Sequence, residues 1–426
     1  MNILALNDEP TIGGAAQLFR RTNELLRRRG HQVVEVTGAH LSRVSQAGRS
    51  QPFRRLRQLQ GELAANVRHL YDPQLIAFLR RLLDRTPVDV AHVHNVHGRL
   101  STQVFPFLKR RRIPVAYQVN DYFFFCNTYC AYNRRLDQPC KRCIRGNVLG
   151  AIRDGCVGNL GPPHVGRALL QAMKRFALIA TNPWKHVDLF LVTSDQASAL
   201  LEEWGVDRAR QHKLFNPMLE EEFTVPTRLG EEVMFYGTCL PTKGVETFCA
   251  ALEHVDPACR IGVYLSGMTP EYEARLQTLA QRRGIRLCVD STLRWNNGLR
   301  ERLASSRAVV VPSQWWMTSE NVVYEAMLLG KPVVVSRIGG NVELVEHGQT
   351  GFFFEPRNEQ ELARYINLLS LDADLANRMG TEARVRSHEQ FAESVFLKRL
   401  EAAYHRAIAM RTSHVLARRS TEAEVG

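Results

Sequence analysis

The chain has 426 residues, 45% hydrophobic and 23% charged, which excludes disordered, collagen-like and low-complexity classes and predicts two or three domains. No apolar run reaches the roughly 18–20 residues that cross a bilayer, and the opening MNILALNDEP lacks the basic region and apolar stretch of a secretory signal, so a cytoplasmic protein is expected. Net charge is +13 but unevenly held: residues 1–215 carry 32 Lys/Arg and 16 Asp/Glu, residues 216–426 carry 24 and 27.

In chain order, residues 3–6 read as a buried strand, 7–14 as a loop, 15–29 as a helix stopped by Gly30, and 32–36 as the next strand, the unit of a parallel sheet. Residues 40–70 read as an Arg- and Gln-rich loop passing into a helix. Helices follow at 71–85, 100–111 and 168–184, with strands at 88–93, 115–119 and 189–193. Residues 216–230 are polar and contain prolines, a linker pattern. A second alternation then places strands at 233–236, 260–266, 286–289, 308–311, 332–335 and 351–354. Its helices fall at 244–254, 271–283, 298–305, 321–329, 341–346 and 359–370. Residues 390–411 read as a last helix and 412–426 as a frayed tail. The expected architecture is α/β: two facing Rossmann-like, doubly wound domains, 1–215 and 216–395, with a C-terminal segment 396–426. Ligands would sit at the carboxyl ends of the strands, in the cleft between the sheets.

Gly13 and Gly14 open a helix after the first strand, where backbone can approach a phosphate. Neither G-x-G-x-x-G nor the P-loop motif occurs, which speaks against dehydrogenases and P-loop NTPases. The run Phe235-Tyr236-Gly237-Thr238-Cys239-Leu240-Pro241-Thr242-Lys243-Gly244 reads as strand, loop and helix start. Lys243 would project from that loop, and a cation there can offset charge on a diphosphate. Pro312-Ser313, Glu325-Ala326, Gly330-Lys331-Pro332-Val333, Gly339-Gly340, Glu343 and the closing Gly348-Gln349-Thr350-Gly351 follow in order.

This ordered series resembles the family 4 glycosyltransferases, which have the GT-B fold; the strand ending Val93-His94-Asn95 and the crossover Asn216-Pro217 agree with it. The resemblance implies a retaining glycosyltransferase. Its C-terminal domain would bind a UDP- or GDP-linked sugar and its N-terminal domain a saccharide or polyprenyl-linked acceptor, with no catalytic metal. Glu325 would take the ribose hydroxyls, which suits a carboxylate facing a diol. Backbone amides at Glu320, Asn321 and Val322 would cradle phosphate, beside Gly237, Thr238 and Lys243. Lys243, Asn120 and Asp121 would be the catalytic residues. Bacterial surface polysaccharide or glycoconjugate assembly is the implied setting.

Three positions depart from the family. Thr238 stands where the family has Arg, Met317 where it has an acid eight residues before Glu325, and Asn120 where it has His. Each removes a charge or donor, and one such loss costs a few kcal/mol of transition-state stabilisation. Glu320, His94, His97 and Arg294 are the candidates to compensate. Two other readings are a GT-B protein with a relic site, acting as a binding partner in an assembly complex, and a nucleotide-sugar epimerase.

Five cysteines fall in a C-x3-C-x9-C-x2-C-x12-C segment, and Cys140-Lys141-Arg142-Cys143 has zinc-knuckle spacing. Cys126 or Cys130, with Cys156, could complete a four-sulfur structural site; the set taken is Cys126, Cys140, Cys143 and Cys156. Packed, reduced thiols are the alternative. The basic first half, with Arg20, Arg21, Arg27, Arg28, Arg29, Arg54, Arg55, Arg57 and residues 109–112, suits an anionic membrane surface. No nucleic-acid-binding module is present.

Overall fold

A computed structural model describes residues 1–8, 14–38, 63–97, 99–156 and 165–424. The chain divides into two compact units, Met1–Leu214 with Leu397–Gly426, and Phe215–Phe396.

In the first unit the strands are β1 (Asn2–Asn7), β2 (Gln32–Thr37), β3 (Val90–Val93), β4 (Val115–Gln118), the short β5 (Tyr132–Asn133) and β6 (Gln138–Pro139), β7 (Leu189–Val192) and β8 (Gln211–Lys213). Six of them form one parallel sheet in the order β2-β1-β3-β4-β7-β8, while β5 and β6 pair as an antiparallel hairpin. Ile3 lies between Val33 and Val90. β3, β4 and β7 are buried along their whole length, as strands of a parallel sheet covered on both faces must be. β8 is Gln-His-Lys, an edge strand with no apolar pattern, and it was not anticipated.

The C-terminal segment is not a separate piece. Leu400, Ala403, Tyr404 and Ala407 are buried, one helical stripe within the helix Glu393–Glu424. Tyr404 OH lies 2.8 Å from His92 Nδ1, Glu401 lies 3.0 Å from His31 Nε2, and Arg406 donates to the Gln211 carbonyl at 3.0 Å. Arg411 pairs with Asp188, which also accepts from Val115 N.

In the second unit the strands are β9 (Glu232–Thr238), β10 (Arg260–Ser266), β11 (Arg286–Val289), β12 (Ala308–Val311), β13 (Val333–Ser336) and β14 (Gly351–Phe354). They form a parallel sheet in the order β11-β10-β9-β12-β13-β14. Alternate residues serve opposite faces: Val233 and Phe235 pack with Phe248, Ile261 and Leu276, while Met234 and Tyr236 pack with Val309, Tyr324 and Met327. The expected linker is part of this unit, because Met218 and Phe223 are buried in its core. A helix not anticipated from the sequence, Ala373–Phe391, packs against the helix Asn321–Leu328 through residues that include Ala383. No described helix is long and apolar enough to cross a membrane.

Candidate functional site

Doubly wound sheets take ligands at the carboxyl edge where strand order reverses. In the second unit that point lies between β9 and β12. β9 runs out through Gly237, at φ 136°, and the exposed Thr238. The turn Pro241–Lys243 follows, closed by Gly244 at φ 74°. A Cβ on Gly244 would lie 1.7 Å from the Pro312 carbonyl oxygen, so only glycine lets this loop close on the residue after β12.

Lys243 leaves the turn with its Nζ 2.8 Å from Glu320 Oε2, and Ser313 Oγ donates to the other carboxylate oxygen. The Lys243 side chain is 21% exposed and that of Glu320 2%. Glu320 immediately precedes the helix Asn321–Leu328 and makes no side-chain capping bond. The helix dipole favours a carboxylate at that end. A cation, a hydroxyl donor and a helix N-terminus thus converge on one buried anionic group. The same chemistry suits a phosphate.

The remaining predicted residues surround this centre. The Tyr236 hydroxyl lies 3.0 Å from Glu325 Oε2 and 3.3 Å from the Val322 carbonyl oxygen, and Glu325 is buried. Asn321 Oδ1 accepts from Asn216 Nδ2 at 3.0 Å. The loop between β12 and the helix is held at both ends. Gln314 N donates to the Thr242 carbonyl at 2.8 Å, and Gly340 N donates to the Met317 carbonyl at 2.8 Å. A Cβ on Gly339 would lie 2.7 Å from both Met317 N and Met317 O, which accounts for the glycine pair after β13. Of the proposed compensating groups, Glu320 lies in the site, whereas the Arg294 guanidinium donates to Ser291 O and Leu293 O of its own loop.

In the first unit the strand order reverses between β1 and β3. Gly13 lies outside the described residues, as do Arg54, Arg55 and Arg57; Gly14 is the first residue of the helix Gly14–Arg28. Asp121 lies 3.0 Å from His97 Nε2 and accepts from Phe123 N at 3.0 Å. Asn120 donates to Asn95 Oδ1 at 2.9 Å, and Lys174 Nζ to the His97 carbonyl at 3.3 Å. Burial lowers the His97 pKa, but the charge and hydrogen bond of Asp121, with the charge of Asp8, outweigh it and leave the pKa raised; Lys174 opposes them. Burial raises the pKa of Asp8 and brings that of Lys174 down to about 8. Sequence reasoning missed Asp8 and Lys174, which come to His97 from sequence-distant elements. His94 is no compensating group at a surface. It is fully buried, stacked 4.2 Å from His92, and burial holds its pKa well below the usual value.

Cys126, Cys140, Cys143 and Cys156 are free thiols that share one neighbourhood. Burial, with the charges of the other three, pushes Cys143 up to about 12, and Cys156 rises to about 11. Among the described residues no three His, Cys, Asp or Glu side chains gather closely enough to hold a metal as they stand. The sulfurs face local partners instead, Cys126 with Thr128 Oγ1 at 3.3 Å and Cys143 with the Asn147 carbonyl at 3.8 Å.

The family described as "Glycosyl transferases group 1" matches residues 226–386, and "Glycosyl transferase 4-like domain" matches 13–216. The chain is 33% identical over 84 residues to N-acetyl-alpha-D-glucosaminyl L-malate synthase of Bacillus anthracis, 20% of this chain and 22% of that protein. It is 31% identical over 85 residues to the capsular polysaccharide biosynthesis glycosyltransferase CapM of Staphylococcus aureus, again 20% and 22%. These matches therefore span about a fifth of each relative. Anabaena HepE, solved in complex with UDP, shares the fold at a TM-score of 0.60 and 17% identity, covering 94% of this chain and 99% of that one.

Proposed function

Because the chain belongs to the group 1, family 4-like glycosyltransferases of the GT-B fold, we propose that it moves a sugar from a nucleotide-sugar to a saccharide or lipid-linked acceptor, with retention of configuration, in surface polysaccharide or glycoconjugate assembly. The observation that carries the reading is the convergence of Lys243, Ser313 and the start of the helix Asn321–Leu328 on the Glu320 carboxylate at the strand-order reversal.

In this reading the donor's diphosphate meets Lys243 and the backbone amides of Asn321 and Val322, with Gly237 and Thr238 lining its approach. Glu325, oriented by Tyr236, accepts from the ribose hydroxyls. As the glycosyl–phosphate bond breaks, negative charge grows on the leaving diphosphate, and Lys243 acts where that charge develops. UDP is the first nucleotide to try, as it is the one bound in HepE; GDP is the second. The acceptor is assigned to the first unit, with Asn120 and Asp121 near the reacting hydroxyl. The basic first unit would meet an anionic membrane on its cytoplasmic face.

The test is to incubate the protein with UDP- and GDP-sugars and a panel of saccharide acceptors, then read nucleotide release and the anomeric proton of the product. An α product from an α donor supports the proposal; an inverted product or no transfer with any donor contradicts it. The cysteine group supports a structural zinc only in that four thiols share one neighbourhood, and metal analysis of freshly purified protein decides it. Zinc near one equivalent would mean that the sulfurs rearrange to bind it, and none would leave them as packed thiols.

A further inference from the structure

The helix Val165–Thr181 carries apolar residues on its outer as well as its inner side, where Ala168, Ala172 and Leu178 are buried. Leu169, Met173, Phe176 and Ile179 are 59%, 57%, 51% and 41% exposed, a spacing that puts them along one outer face. Its charged residues Lys174 and Arg175 turn inward. Arg175 is buried and donates to the carbonyls of Phe123 and Phe124 at 2.9 and 3.0 Å, and Lys174 reaches the His97 carbonyl. A surface helix normally shows polar residues on its outer face.

The neighbouring cysteine-bearing segment also exposes an apolar residue. Leu149, 73% exposed, lies on the helix Val148–Arg153, which packs on Val165–Thr181 through Ala151 and Ala168. Arg145 and Ile179 line one cavity of about 170 Å³. The surrounding chain is strongly basic: residues 131–185 hold ten Lys/Arg and only Asp137 and Asp154 as acids. Both acids are engaged, Asp137 by Tyr132 and Asp154 by Arg142 at 2.8 Å.

We propose that the outer face of Val165–Thr181, with Leu149 and the basic segment 134–153, docks on an anionic bilayer surface. The inference deepens, and rests on, the membrane-facing reading of the first unit. The chemistry selects the occupant. An apolar face rimmed by cations matches the headgroup–acyl boundary of a bilayer with acidic lipids. A second copy placed on the same face would bring like charges together.

The test uses the full chain and co-sedimentation with phosphatidylcholine vesicles, with and without phosphatidylglycerol. Wild type should bind only the anionic vesicles, and added salt should weaken binding. The double variant Met173→Gln/Phe176→Gln should bind them at least about tenfold more weakly, and Arg145→Glu should bind weakly as well. Both sets of changes are at exposed positions, so the thermal midpoint and nucleotide affinity should stay at wild-type values. No binding by wild type, or equal binding by the double variant, overturns the proposal. So does a wild-type dimer that the double variant splits without loss of vesicle binding. Vesicle binding by a protein that binds no nucleotide would retain the docking face and remove the transferase reading.

Discussion

The two units share one parallel design yet differ in the ionisable groups that they bury. The second places Lys243 and Glu320 against each other at the edge of its sheet, a pair whose cation can be shared with an incoming anion. The first buries imidazoles. Among the described residues neither ring nitrogen of the buried His94 has a hydrogen-bond partner, and burial holds His92 near pKa 3. The contrast predicts a second unit that responds to anions and a first unit that responds to pH.

Gly244→Ala strikes the second unit hardest. A Cβ there meets the Pro312 carbonyl at positive φ, so a loss of about 3 kcal/mol or more is expected. Calorimetric unfolding should show the second unit's transition falling while the first unit's stays in place; an unchanged scan would contradict the tight closure of this loop.

Lys243→Ala comes next. Transfer should fall roughly 10²–10³-fold. The same change strands the buried Glu320 carboxylate, so stability should also fall by about 1–2 kcal/mol, discounted because Lys243 is partly exposed. Lys243→Ala/Glu320→Gln should recover the stability and not the activity. Recovery of both would remove Lys243 from the mechanism.

Acid should separate the units. The pKa values of His69, His92 and His94 are depressed, so the unfolded chain takes up protons that the folded chain refuses. Their contribution is present above about pH 6.5 and is lost as pH falls toward 3. Limited proteolysis near pH 4.5 should therefore cut the first unit before the second. Cleavage starting in the second unit would reverse the contrast.

His97 works the other way. With its pKa raised, it stabilises below about pH 6.5, and that contribution is lost as pH rises through the folded value. Asp121→Asn should flatten this alkaline loss in a series of thermal midpoints against pH. A slope kept in the variant would mean that another group carries it.

Much of the second unit was legible because its strands are short Val-, Ile- and Phe-rich runs buried on both faces, and because Gly244, Gly339 and Gly340 sit where backbones touch. The pairing of Lys243 with Glu320 was not legible. It joins residues 77 apart, and counting back from Glu325 pointed to Met317 instead. In the first unit, periodicity identified the helix near 168–184 but not which side faces out, since it is apolar on both sides and Arg175 is buried. The polar edge strand β8 carried no pattern to read. The cysteine spacing suggested which thiols lie near one another, but not the local partners that Cys126 and Cys143 take, Thr128 and the Asn147 carbonyl.

The central claim is that the Lys243–Glu320 centre receives the diphosphate of a nucleotide donor. Its most direct test is calorimetric titration of wild type and Lys243→Ala with UDP, and with GDP, ADP and CMP as competitors. The account predicts selective binding of one nucleotide by wild type, weakened about tenfold or more in the variant. Binding of no nucleotide, or equal binding by both proteins, would contradict it.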